Sequence, residues 1–166
     1  MAGPCGPLPI FRVMNYKLIQ DIAKRCYESA QRRGKDVSCE GCRNYVAVEL
    51  SEYWRACRQG YDLSNNAAEL LNEAAQIDDN TFISVYDAYV HNTTIDELAD
   101  LLIVAATWYE AARRTSKTAF PTECADVLFI EGVLAFIADV CTNNPQAKSL
   151  HEIANLKMRY NELRQD

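Results

Sequence analysis

Two pairs of carboxylates stand out by type and spacing. Glu49 and Glu52 lie in VAVELSEYW; Glu97 and Asp100 lie in NTTIDELADLLIVAATWYEAARR. Each pair is one helical turn apart, on a stretch otherwise rich in apolar residues. At 100° per residue, Leu98, Leu102, Ala105 and Tyr109 form the central stripe of the second stretch. Glu97 and Asp100 point to a neighbouring face, which Val104 and Trp108 continue. A helix this apolar reads as buried on most sides. Carboxylates at the edge of a core repel each other and lose hydration, so they need protons, basic partners or a metal ion. An all-oxygen ligand set suits Mg²⁺, with Mn²⁺ as its substitute. Four such groups on two antiparallel helices can hold one or two divalent ions. A plainer role exists for Glu97, because Thr94 to Glu97 fits a capping box. That role leaves Asp100 without an account. A further ExxD, Glu123 to Asp126 in TECADVLF, is a rival partner for Glu49 and Glu52. Glu69 and Glu73 read as a solvated helix face.

Helical periodicity dominates the elements that must position these groups. NYKLIQDIAKRCYESAQRRGK places Leu18, Ile22, Cys26 and Ala30 on one stripe and stops at Gly34. A loop carrying SCEGC follows, then a helix over RNYVAVELSEYWRACRQG that Gly60 ends. Short helices are expected over AAELLNEAAQ and NTFISVYDAYVHN. Three longer ones follow: the segment 92–114, TECADVLFIEGVLAFIADVC, and SLHEIANLKMRYNELRQD. No strand signal competes. The expected fold is one all-α, bundle-like domain over residues 1–166.

Composition narrows the function. The 166 residues carry a net charge of -6, which disfavours coating a nucleic acid polymer. No leader pattern opens the chain and no apolar run reaches the length of a membrane span, so a cytoplasmic protein with no membrane partner is expected. The seven cysteines then read as reduced thiols. The CxxC at Cys39 and Cys42 lacks the second close ligand pair that a zinc site needs. There is no Gly-rich phosphate loop and no Ser/His/Asp or Cys/His set. His91 and His151 are isolated, and neither carboxylate pair has the histidine offset of a di-iron bundle.

ELSE on one helix and DELAD on a later one resemble the MazG-like all-α nucleoside triphosphate pyrophosphohydrolases of the phage and bacterial branch, whose signature is EExxE followed by ExxD. NYKLIQDIAKRCYESAQRRGK is similar to that family's first helix, and LKMRYNELR to its closing one. The resemblance touches most of the chain, with residues 109–145 poorly covered. It implies that Glu49, Glu52, Glu97 and Asp100 bind Mg²⁺ directly or through water. Glu52 would be the group that positions or deprotonates the attacking water. Lys157, Asn161 and Arg164, at i, i+4 and i+7, would meet the triphosphate and nucleoside. The implied reaction is Mg²⁺-dependent hydrolysis of an NTP or dNTP to the monophosphate and pyrophosphate, in a homodimer or homotetramer. The flanks of Glu97 and Asp100 favour them over Glu123 and Asp126. Val48 stands where the family's first glutamate would be. The apolar helices at 95–112 and 125–140 also point to a homo-oligomer. A rival reading keeps the fold without catalysis, as a nucleotide- or protein-binding helical protein that uses Trp54 and Trp108 for contacts.

Overall fold

A computed structural model describes residues 16, 19–60, 62, 66–115 and 125–164. Seven α-helices and one 3₁₀ turn account for these residues, with no strand among them. We number them α1 (Ala23–Arg32), α2 (Cys39–Gln59), α3 (Ala67–Ile77), α4 (Asp79–Tyr89), α5 (Thr94–Thr115), α6 (Ala125–Asn143) and α7 (Leu150–Leu163), with the 3₁₀ turn at Pro145–Ser149.

Helix α5 is the axis of the fold. It packs against α1, α2, α6 and α7, while α3 and α4 form a hairpin that touches α7. Sixteen residues of its 22 are buried, so its neighbours in the same chain cover its apolar faces. The apolar share of 95–112 is therefore no argument for an oligomer. Trp108 is also buried, and its Nε1 donates to Asp126 at 3.2 Å, which removes it from any contact surface.

Local chemistry sets the helix ends. α1 keeps Cys26 and Ala30 buried, with Ile22 buried just before it, as its stripe predicts; Leu18 lies outside the described residues. Gly34 and Gly60 both have positive φ, 70° and 67°, which glycine adopts without a Cβ penalty. The SCEGC segment departs from its expected loop. Ser38 caps α2, its Oγ accepting from the Gly41 N–H at 3.0 Å, so Cys39 and Cys42 occupy the first turn of a helix. Burial pushes the Cys42 thiol up to about 12. A serine N-cap is worth about 1 kcal/mol, and here it converts a turn-rich segment into helix.

The start of α5 also differs from expectation. Thr93, not Thr94, is the cap: its Oγ1 accepts from the Asp96 N–H at 3.2 Å. The Asp96 carboxylate accepts in return from the Asn92 N–H at 2.9 Å. The box is thus shifted by one residue, and Glu97 is released from capping. Asn92 makes the tight entry with φ 64°, a conformation asparagine tolerates better than most residues.

Candidate metal centre and its cavity

Helices α2 and α5 run antiparallel. Arg43, early in α2, and Trp108, late in α5, both bond Asp126, while Glu49 and Glu52 meet Glu97 near the start of α5. Carboxylate oxygens of Glu49, Glu52 and Glu97 all lie within 4.8 Å of one another. Three expected ligands are thus brought together across the two helices. The fourth, Asp100, stands beside them but is engaged elsewhere: its Oδ2 accepts from Lys157 Nζ at 2.8 Å, and Asn161 bonds it as well.

This cluster is electrostatically expensive without a cation. Glu97 is 7% exposed, and its side chain takes part in no hydrogen bond or ion pair among the described residues. Burial, then the charges of Asp96 and Asp100, push it up to about 7. Burial, then Asp100, Glu52 and Glu97, push Glu49 up to about 8. Asp100 is pushed up to about 6 by burial, with Lys157 opposing. A divalent cation removes this penalty by supplying the missing positive charge, so these side chains fit Mg²⁺ or Mn²⁺ by donor type and by need.

Behind the cluster lies a buried network that sequence reasoning missed. Asp96 has no exposed surface. It accepts from Tyr86 Oη at 2.5 Å and Lys157 Nζ at 2.6 Å, and His91 Nδ1 lies 3.4 Å away. Burial alone would raise its pKa, but the neighbouring His91 ring, the Lys157 ammonium and the Tyr86 hydroxyl together hold it below the usual range. Burial works against the Lys157 charge, yet Asp100 and Asp96 outweigh it and raise its pKa. Tyr86 stacks on Tyr160 at 4.1 Å between centroids, and the Tyr160 hydroxyl donates to Asp87. Lys157 therefore sits 4% exposed between two carboxylates, not on a solvated terminal face. Its first task is to neutralise Asp96 and Asp100. The signal for Asp96 was its place three residues after Thr93, a cap position that hid a second role.

The cluster opens into a cavity of about 660 Å³. Lys157, Asn161 and Arg164 all line it, as their shared helical face predicts. Arg33, Lys35 and Arg55 line it too; no periodicity marks these three, since the first two lie at a helix stop and the third on an exposed turn of α2. Arg33 Nε is buried and finds no hydrogen-bond partner. The Arg164 guanidinium lies 5.3 Å from the Tyr160 ring centroid. Ile103, Val104, Thr107, Cys42 and Tyr45 supply less polar wall. The space thus combines a carboxylate cluster, several guanidinium and ammonium groups, and a less polar wall.

The remaining expectations are placed as follows. Val48 is 51% exposed and does not line the cavity, so the missing glutamate removes nothing from the cluster. Asp126 is held by Arg43 at 2.9 Å and by Trp108, away from the cavity, and Glu123 lies outside the described residues. Glu69 and Glu73 are exposed. His91 is not isolated, since it faces Asp96; His151 contacts Asp21 at 3.2 Å. No described helix is long and apolar enough to cross a membrane. A scan of protein-family models finds no match to the chain, and searches of curated proteins and of solved structures find none either.

Proposed function

We propose that this chain hydrolyses a nucleoside triphosphate to the monophosphate and pyrophosphate with the help of Mg²⁺. The observation that carries the reading is the convergence of Glu49, Glu52 and Glu97 on a cavity whose other walls bear Arg33, Lys35, Arg55 and Arg164. Carboxylates demand a cation, and the surrounding cations demand an anion; a metal-polyphosphate satisfies both. A MazG-like bundle is the architecture that agrees with this placement.

Glu49, Glu52 and Glu97 would hold the ion, with Asp100 reaching it through water while Lys157 and Asn161 fix its carboxylate. The ion supplies neutralisation of phosphate charge and acidification of a water. Glu52, at the cavity wall, would serve as the general base that positions or deprotonates an attacking water. Arg33, Lys35, Arg55 and Arg164 bind phosphate oxygens, for which guanidinium forks are suited. Asn161, oriented by Asp100, offers its amide to the sugar or base. The apolar wall at Ile103, Val104 and Tyr45 receives the nucleoside and excludes water from the phosphates.

Pyrophosphate release from a panel of NTPs and dNTPs, in Mg²⁺ and in EDTA, tests the proposal. Release that requires Mg²⁺ and falls at least about a hundredfold in Glu97→Gln is expected. Metal-independent release, or full activity in Glu97→Gln, would remove the carboxylate cluster from the mechanism.

A further inference from the structure

The carboxylates on and behind the cavity wall divide into two groups, and Lys157 divides them. Glu49, Glu52 and Glu97 face one another within 4.8 Å. Glu97 is 7% exposed and takes part in no hydrogen bond or ion pair among the described residues, so its charge calls for a cation from outside the chain. Asp96 and Asp100, one turn apart on α5, already have a cation within the chain. Lys157 Nζ bonds Asp96 Oδ1 at 2.6 Å and Asp100 Oδ2 at 2.8 Å. That ammonium is fixed in place. Lys157 is 4% exposed, and its Nζ lies 5.6 Å from the centroids of both the Tyr86 and the Tyr160 rings, whose faces attract a cation. Tyr86 also donates to Asp96, and Asn161 bonds Asp100, which holds the two carboxylates on the ammonium.

We infer that the centre holds one divalent ion and that Lys157 stands in the place of a second. The inference rests on the cation-binding part of the proposed function. By charge and donor type, Asp96 and Asp100 beside three glutamates suit a second ion; what they lack is room. Mg²⁺ keeps several waters and needs near-octahedral space. Asp96, Tyr86 and Tyr160 are at most 1% exposed, and with Lys157 between them they leave no space for that shell. An ion entering there would also push a buried ammonium off both its carboxylates and leave it unpaired, which is costly. Lys157 lines the same cavity as the glutamates. A polyphosphate therefore meets one exchangeable ion and one positive charge that never leaves.

Mn²⁺ binding to the nucleotide-free chain, counted by electron paramagnetic resonance with circular dichroism to verify folding, tests it. The wild type is expected to bind one tight ion per chain, with the spectrum of an isolated ion, and Glu97→Gln to lose it. Lys157→Ala releases Asp96 and Asp100 and opens their side to the cavity, so it should bind two. Lys157→Arg keeps the charge and should stay at one. Two tight ions in the wild type, or the spectrum of a spin-coupled pair, overturn the inference and leave the hydrolase reading standing. So does a folded Lys157→Ala that still binds one. The wild-type count decides the matter even where Lys157→Ala does not fold. A wild type that binds no ion removes the metal centre itself, and the proposed function with it.

Discussion

Replacing Glu97 by glutamine keeps its shape and removes its charge, and the two consequences have opposite signs. Glu97 is pushed from 4.5 to about 7 by burial and by Asp96 and Asp100. A carboxyl whose folded pKa is raised favours the fold while protonated and opposes it once ionised. The penalty is absent at and below pH 4.5, accumulates as pH rises, and is complete above about 7. That rise corresponds to about 3 kcal/mol. Relief felt by Glu49, which Glu97 helps push up to about 8, adds in the same direction. Glu97→Gln in EDTA at a pH above 8 should therefore be more stable than wild type by about 2–3 kcal/mol. For a chain of this size that is about 4–12 °C in melting temperature. Near pH 4.5 the two proteins should melt alike. With Mg²⁺ or Mn²⁺ the wild type should rise in melting temperature and the variant should rise far less, since ligand binding stabilises only the state that binds. Scanning calorimetry at both pH values, with EDTA and with cation, reads all of this. Destabilisation by Glu97→Gln in EDTA above pH 8, or equal stabilisation of both proteins by cation, would refute the reasoning.

Lys157→Met leaves Asp96 and Asp100 buried without their counter-ion and should cost about 3–5 kcal/mol in urea unfolding, whatever it does to turnover. Tyr86→Phe removes one donor to the buried Asp96 carboxylate, at 2.5 Å, and should cost about 1–3 kcal/mol by the same assay. Arg33→Gln should leave the melting temperature unchanged and raise KM for the triphosphate about tenfold, the value of a charge-assisted bond, because its guanidinium lines the cavity with Nε unpartnered.

The order of helices was legible because each is long and periodic or ends on a decisive residue. Gly34 and Gly60 needed positive φ, and both were readable as stops. The N-termini were harder. Ser38 turned the CxxC into helix, and Thr93 displaced the box by one residue, because adjacent threonines offer the same chemistry and only the turn at Asn92 chooses between them. The carboxylate pairs were visible as charges on apolar faces, and α2 and α5 do bring Glu49, Glu52 and Glu97 together. What spacing could not show was the division of labour inside DELAD. Asp96 and Asp100 reach Lys157 on α7, 61 residues from Asp96, and that pairing depends on tertiary packing. Arg33, Lys35 and Arg55 escaped for the same reason: exposed basic residues are common, and only the cavity distinguishes these.

The central claim is that a cation held by Glu49, Glu52 and Glu97 directs cleavage between the α- and β-phosphates of a nucleoside triphosphate. Phosphorus NMR of each NTP and dNTP incubated with the protein and Mg²⁺ observes that bond directly. The account predicts nucleoside monophosphate and pyrophosphate appearing together in equal amounts with Mg²⁺, and the nucleotide left uncleaved when EDTA replaces Mg²⁺. Diphosphate with orthophosphate, or an unchanged spectrum for every nucleotide, would contradict it.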